Sequence, residues 1–114
     1  MSALLGRRPR PTAVVAYNDL MAIGAMRAIR RRGLAVPADV SLVGFDDVAF
    51  AAYAEPALTT LRQETAEMGR WAVATLTAGI RAGGADRDHR PRAELRVVPV
   101  HLELRESTGP VPPG

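Results

Sequence analysis

VVAYNDLMAIGAMRAIRRRGLAVPADVSLVGFDD, residues Val14–Asp47, reads as an apolar strand, an amphipathic helix, a glycine-ended turn and a second apolar strand. Each strand runs into acids or amides, at Asn18–Asp19 and again at Asp46–Asp47. Parallel strands joined by a crossover helix bring their carboxyl ends side by side, and open α/β sheets bind ligands at that edge. The two polar pairs are therefore expected on one side of the sheet, as a site for a small polar molecule.

The local chemistry of the stretch supports this order. Thr12–Tyr17 is a β-branched run and the first strand; the helix runs from about Asp19 to Arg32, with Asn18 or Asp19 able to cap its amides. Ala22, Ala25, Met26 and Ile29 follow helical spacing and form the face for the sheet. Leu20 and Ile23 lie off that face, either packing on neighbouring segments or marking a second apolar contact such as a subunit interface. Gly33 suits the left-handed position that ends helices. Pro37–Asp39 turns the chain into the strand Ser41–Phe45, where Gly44 allows close backbone approach near the strand end.

Beyond this stretch, Ala49–Ala54 is a short helix stopped before Pro56, and Leu58–Leu61 is a third short strand ending in Arg62 and Gln63. A second long helix is expected from about Thr65 to Ala82, with Met68, Ala72, Leu76 and Ile80 recurring every four residues and Val73 and Trp71 widening the stripe. Ala85–Arg92 reads as a solvated linker in which His89 sits without ligand partners. The closing segment Glu94–Arg105 alternates, but its phase slips: Leu95 and Val97 share one face, Val98, Val100, Leu102 and Leu104 the other. Pro99 stands where a bend is needed, so the segment is expected to serve two cores, one on each side of the break.

Composition narrows the function classes. A chain of 114 residues supports one domain at most, and 47% hydrophobic residues with mixed charge mark a folded, soluble protein rather than a disordered one. With no cysteine, disulfides, zinc thiolates and thiol nucleophiles are excluded. The 15 basic residues are all arginine, so Schiff-base and phosphate-loop lysine chemistry is excluded too. The Arg30–Arg32 cluster falls in the last turn of the first long helix, where cations favour the helix dipole. No segment has the length of a signal peptide's apolar region or of a membrane span, so a cytoplasmic location is expected.

Several separate runs, AYNDLMAIGAMRAIRRRGLAVPADVSLVGFDD, PALTTLRQ and LELRESTGP, resemble the C-terminal part of the LacI/GalR family of bacterial transcriptional repressors. The resemblance covers about Pro11 to Pro110, in the family's order and spacing. It implies an α/β fold: a partial type I periplasmic-binding-protein-like parallel sheet with flanking helices, an incomplete form of a two-lobed domain. On that pattern residues 1–10 form a disordered leader and 11–63 with 98–108 belong to the C-terminal lobe. Residues 64–97 give a helix and strand to the N-terminal lobe, and 109–114 form a flexible tail. The apolar stripe of the second long helix would then lack its partner here, which predicts association.

The resemblance further implies that Asp46 and Asn18 hydrogen-bond a small-molecule effector, commonly through sugar hydroxyls, with Gln63 at the lobe crossover near the pocket. An ionised carboxylate accepts from two neighbouring hydroxyls, whereas Asn18 serves equally well as a helix cap. Asp19 and Asp47 read as caps, loop anchors or hinge contacts. Ile23, with Leu20 beside it, falls in the family's dimer interface. DNA would be read only through a helix-turn-helix headpiece that nothing in this chain resembles. No catalytic residue, metal or cofactor is implied, and no membrane partner.

Two other functions share parts of the pattern. A sugar-binding protein of an ABC transporter has the same fold, but needs a secretion signal and rarely ends in a motif like RESTGP. An enzyme using Asp46–Asp47 with Mg²⁺, as in phosphoacceptor domains, is disfavoured by the lack of lysine and by His89 and His101 having no sensible acid–base partner.

Overall fold

The computed structural model describes residues 1–81 and 95–112. In chain order the elements are α1 (Ser2–Leu5), β1 (Ala13–Val15), α2 (Asp19–Arg30), β2 (Ser41–Phe45), α3 (Ala49–Tyr53), β3 (Thr59–Gln63), α4 (Thr65–Arg81) and β4 (Val100–Glu103). The strands lie in the order β1-β2-β3-β4. The first three pair in parallel, with Val14 opposite Leu42 and Gly44 opposite Thr60. The chain divides into two compact units, Met1–Arg62 with His101–Gly114, and Gln63–Val100.

The first unit holds the buried core. Ala22, Met26 and Ile29 recur every three or four residues along α2 and are all buried, with Leu42 and Leu58 beneath them. Ala22, Met26, Leu42, Ala51 and Leu58 form one cluster; Leu5, Ile29 and Val40 form another. Removing a side chain the size of Ile29, Leu42 or Leu58 fully from water contributes roughly 1.5–3 kcal/mol each. Gly33, at φ +70, takes the left-handed position after α2, and the Leu34 N–H reaches back to the Ile29 carbonyl at 3.3 Å.

Residues 1–10 differ from the expected disordered leader. Ser2–Leu5 is a helical turn, and Leu5, only 7% exposed, packs with Ile29 and Val40. Leu5 is large enough to be worth burying, and the apolar side of α2 offers it a surface; a three-residue apolar run is too short to reveal this in sequence.

The segment after β4 is bound to the sheet by hydrogen bonds rather than by apolar packing. The fully buried Ser107 hydroxyl donates to the Leu42 carbonyl at 2.6 Å and accepts the Thr59 N–H at 2.8 Å. Leu42 N–H donates to the Ser107 carbonyl, and Gly109 N–H to the Ser41 hydroxyl at 3.1 Å. Among the described residues, no buried side-chain nitrogen or oxygen lacks a partner.

The second unit is different. α4 has the expected length up to Arg81, with Ala82 outside the described residues, yet buries none of its residues. Met68, Leu76 and Ile80 are 40%, 67% and 77% exposed. Glu67 pairs with Arg96. In the closing segment, residues 95–99 have no regular structure and β4 begins directly after Pro99; Leu95, Val97, Leu102 and Leu104 are exposed, Val98 is half-buried beside the second unit's cavity, and the division between the two units falls at Val100–His101. Alternation marks which side chains could be buried together, whereas burial needs a second surface. The linker Ala85–Arg92 and His89 lie outside the described residues. No helix among the described residues is long and apolar enough to cross a membrane.

Candidate functional site

The carboxyl ends of β1, β2 and β3 are formed by Asn18–Asp19, Asp46–Asp47 and Gln63. Parallel pairing sets the first two of these ends side by side, since Val15 lies opposite Val43 and the ladder continues through the Ala16 N–H to the Val43 carbonyl at 2.8 Å. Phe45 lies opposite Leu61, and the Asp46 N–H donates to the Leu61 carbonyl at 2.8 Å.

Asn18 acts as the N-cap of α2: its backbone is extended, at φ −152 and ψ 173, and its side-chain oxygen accepts the Met21 N–H at 2.9 Å. That role uses the oxygen and leaves the side-chain amide group available to a ligand. Asp46, half-buried, has φ +108, and Asp47 has φ +54. Positive φ is unfavourable for a residue with a Cβ, most of all outside the narrow left-handed helical region where Asp47 sits and Asp46 does not. Both positions have backbone geometry that favours glycine, and both carry a carboxylate instead.

Asp47 is committed elsewhere. It accepts from the Arg105 guanidinium at 2.6 Å, with both side chains largely buried. Arg105 also donates to the Leu58 carbonyl at 2.9 Å through its guanidinium and to the Thr59 hydroxyl at 2.9 Å through its N–H. An Asp46–Asp47 metal pair is therefore disfavoured, because Asp47 is already ion-paired with the Arg105 guanidinium. Among the described residues, no group of three or more His, Cys, Asp or Glu side chains could hold a metal ion.

Gln63 ends β3 and opens the second unit, where it joins Met68, Trp71, Ala72 and Pro99 around a mostly apolar cavity of about 450 Å³. Ile23 is half-buried and packs against the Ala22–Met26 cluster, so it serves the core more than its off-face position suggested. Leu20 is 64% exposed and Met21 58%.

Three contributors escape a sequence reading. Asp19 reads as a cap, yet it is fully buried and accepts from the Thr60 hydroxyl at 2.5 Å and the Val48 N–H at 2.8 Å. Arg105 and Ser107 belong to the RESTGP run, but nothing local shows that their partners lie some 50 positions earlier in the chain, at Asp47 and Thr59. The available signal is Gly44: a Cβ there would lie 2.1 Å from Asp19 Oδ1, so the glycine marks where a buried side chain crosses the strand.

A family model described as a periplasmic binding protein-like domain matches residues 1–108. The transcriptional regulator MalR of Streptomyces coelicolor is 47% identical over 111 residues, which is 97% of this chain and 30% of that protein. The ribose operon repressor of Haemophilus influenzae is 43% identical over 81 residues, 71% of this chain and 24% of the repressor. The lac repressor dimer bound to operator and the anti-inducer ONPF superposes with a TM-score of 0.76 at 33% identity, covering 94% of this chain and 35% of that one. The complex of the regulator CelR with cellobiose gives 0.76 at 38% identity, over 90% of this chain and 30% of that one. This chain thus spans about 30% or less of the curated relatives described here, which are transcriptional regulators or repressors and not enzymes. A parallel sheet with a polar carboxyl edge, matched along nearly its whole length, places the chain in the periplasmic binding protein-like domain family, as part of the effector-binding region of LacI/GalR-type transcriptional regulators.

Proposed function

We propose that this chain supplies one wall of the effector pocket, together with a dimer-forming surface, in a cytoplasmic LacI-type transcriptional regulator. Asp46 receives hydroxyls of the effector, Asn18 adds its amide from the neighbouring strand end, and Gln63 contributes at the end of β3. The effector is a sugar or similar polyol, a reading supported by the sugars named with two relatives, ribose and cellobiose. The carrying observation is Asp46 itself, a carboxylate held at φ +108 on the ligand edge of the sheet. Leu20, with the outer side of Ile23, offers the apolar contact for a second copy. DNA is engaged only through a headpiece contributed by other sequence.

The test is a graft in which this chain replaces the matching segment of CelR. Calorimetry against cellobiose and a panel of pentoses and hexoses is expected to show one sugar binding. Asp46→Ala is expected to weaken it about 30-fold, the equivalent of roughly 2 kcal/mol for lost charge-assisted hydrogen bonds. Absence of heat for every sugar, or binding unchanged by Asp46→Ala, would falsify the reading. This chain alone, with one wall of a two-walled pocket, is expected to show no measurable affinity for any of them.

A further inference from the structure

Asp19 stands in the first turn of α2, where a carboxylate normally serves the exposed amides of the helix. That work is already done by Asn18, which accepts the Met21 N–H. Asp19 instead spends both oxygens outside its own helix. Oδ1 accepts from the Thr60 hydroxyl of β3 at 2.5 Å, and Oδ2 accepts the Val48 N–H at 2.8 Å. The side chain is fully buried, and it passes over β2 at Gly44, where a Cβ would lie 2.1 Å from Oδ1. Burying a carboxylate is unfavourable unless its partners are good, and here a glycine and a threonine are both committed to it.

Val48 is the residue that follows Asp46 and Asp47, the two non-glycine residues with positive φ among those described. A backbone held in a sparsely populated region persists only when its surroundings over-determine it. The Asp46 N–H is fixed to Leu61, and the Val48 N–H to Asp19, so the strained pair is tied at both ends.

We infer that Asp19 is the positioning residue of the effector edge: its buried carboxylate, admitted by Gly44 and held by Thr60, fixes the Val48 end of the turn and thereby where the Asp46 carboxylate points. The inference rests on Asp46 being the effector contact. It adds that a residue with no exposed surface controls the geometry of that contact.

The experiment is amide hydrogen exchange on the whole 114-residue chain, comparing Asp19→Ala, Asp19→Asn and Gly44→Ala. Asn keeps one acceptor for Val48 and offers an amide to which the Thr60 hydroxyl can turn as acceptor, so it is the conservative variant. Asp19→Ala is expected to speed exchange at the Asp46 and Val48 amides by about tenfold or more, while the Met26 and Ile29 amides of α2 change by less than about threefold. Asp19→Asn should stay within about threefold of the parent at every one of these positions. Gly44→Ala, whose Cβ would meet Asp19 Oδ1 at 2.1 Å and also Leu58 Cδ2 at 2.9 Å, should loosen the turn at least as much as Asp19→Ala, and adding Asp19→Ala to it should loosen the turn no further. Equal loosening of α2 and the turn, no loosening of the turn, or an Asn variant that behaves like Ala would each overturn the inference. Failure of the effector reading shows separately, in the sugar titration of Asp46→Ala, and leaves the exchange result to decide the role of Asp19.

Discussion

α2 and α4 carry the same kind of sequence pattern and meet opposite fates. Both space apolar residues three and four apart, and both end in arginine. α2 buries Asp19, Ala22, Met26 and Ile29, whereas α4 buries nothing. The difference lies in what each stripe faces within its own unit. α2 lies over β1 and β2, whose Val14 and Leu42 supply a second apolar surface. α4 shares its unit with a short irregular segment and a cavity of about 450 Å³. Amphipathicity states which side of a helix can be buried; a partner decides whether it is.

The sharpest way to break this comparison is to truncate one residue from each stripe. Ile29→Ala is expected to destabilise the first unit by about 2–5 kcal/mol, read from the shift in its urea midpoint. Leu76→Ala, at 67% exposure, should move stability by no more than about 0.5 kcal/mol in the same measurement. A Leu76→Ala effect as large as that of Ile29→Ala would mean that α4 is packed in solution.

Arg105→Ala comes next. It removes the guanidinium donors to Asp47 and Leu58 at partly buried positions, while the backbone N–H to the Thr59 hydroxyl stays, and a loss of about 2–3 kcal/mol is expected. A loss below about 0.5 kcal/mol, typical of exposed ion pairs, would show the fork to be solvated.

Asp46→Gly is expected to do what few substitutions do. Glycine accepts φ +108 without a Cβ clash, so stability should be unchanged or rise by up to about 1 kcal/mol while effector binding in the grafted regulator is lost. Thermal unfolding and calorimetry together read the trade. A clear loss of stability would mean that the Asp46 side chain is there for the fold.

The smallest effect on folding belongs to the exposed stripe. Leu76→Lys with Ile80→Lys should leave the first unit's unfolding midpoint within about 0.5 kcal/mol. It should also convert an associating, dye-binding chain into a monodisperse one by size exclusion. A parent chain that is already a dye-negative monomer would remove the basis for this prediction, because exposed apolar area of this extent drives association.

Much of the first unit is legible locally. The α2 start at Asn18–Asp19, its Gly33 stop, the β2 span Ser41–Phe45 and the glycine that admits close approach all follow from short-range chemistry. Propensity, capping and turn preferences act within a few residues, and they suffice to place strand ends and hence the polar edge. The helical turn at Ser2–Leu5 does not follow, because it is supported by Leu5 against Ile29 and Val40, which lie far along the chain, with Met1 beside them.

A parallel α/β order, the polar groups at each strand end, and membership of a family whose motifs agree in spacing all follow from the order of residues along the chain. Tertiary structure alone decided which of those groups are committed. Asn18 caps, Asp47 pairs with Arg105, and Asp19 is drawn under the edge to hold Val48. Asp46 takes φ +108 at the carboxyl edge of β2. Hydrogen-bond partners about 30 to 60 positions apart are chosen by three-dimensional register, which no local pattern encodes.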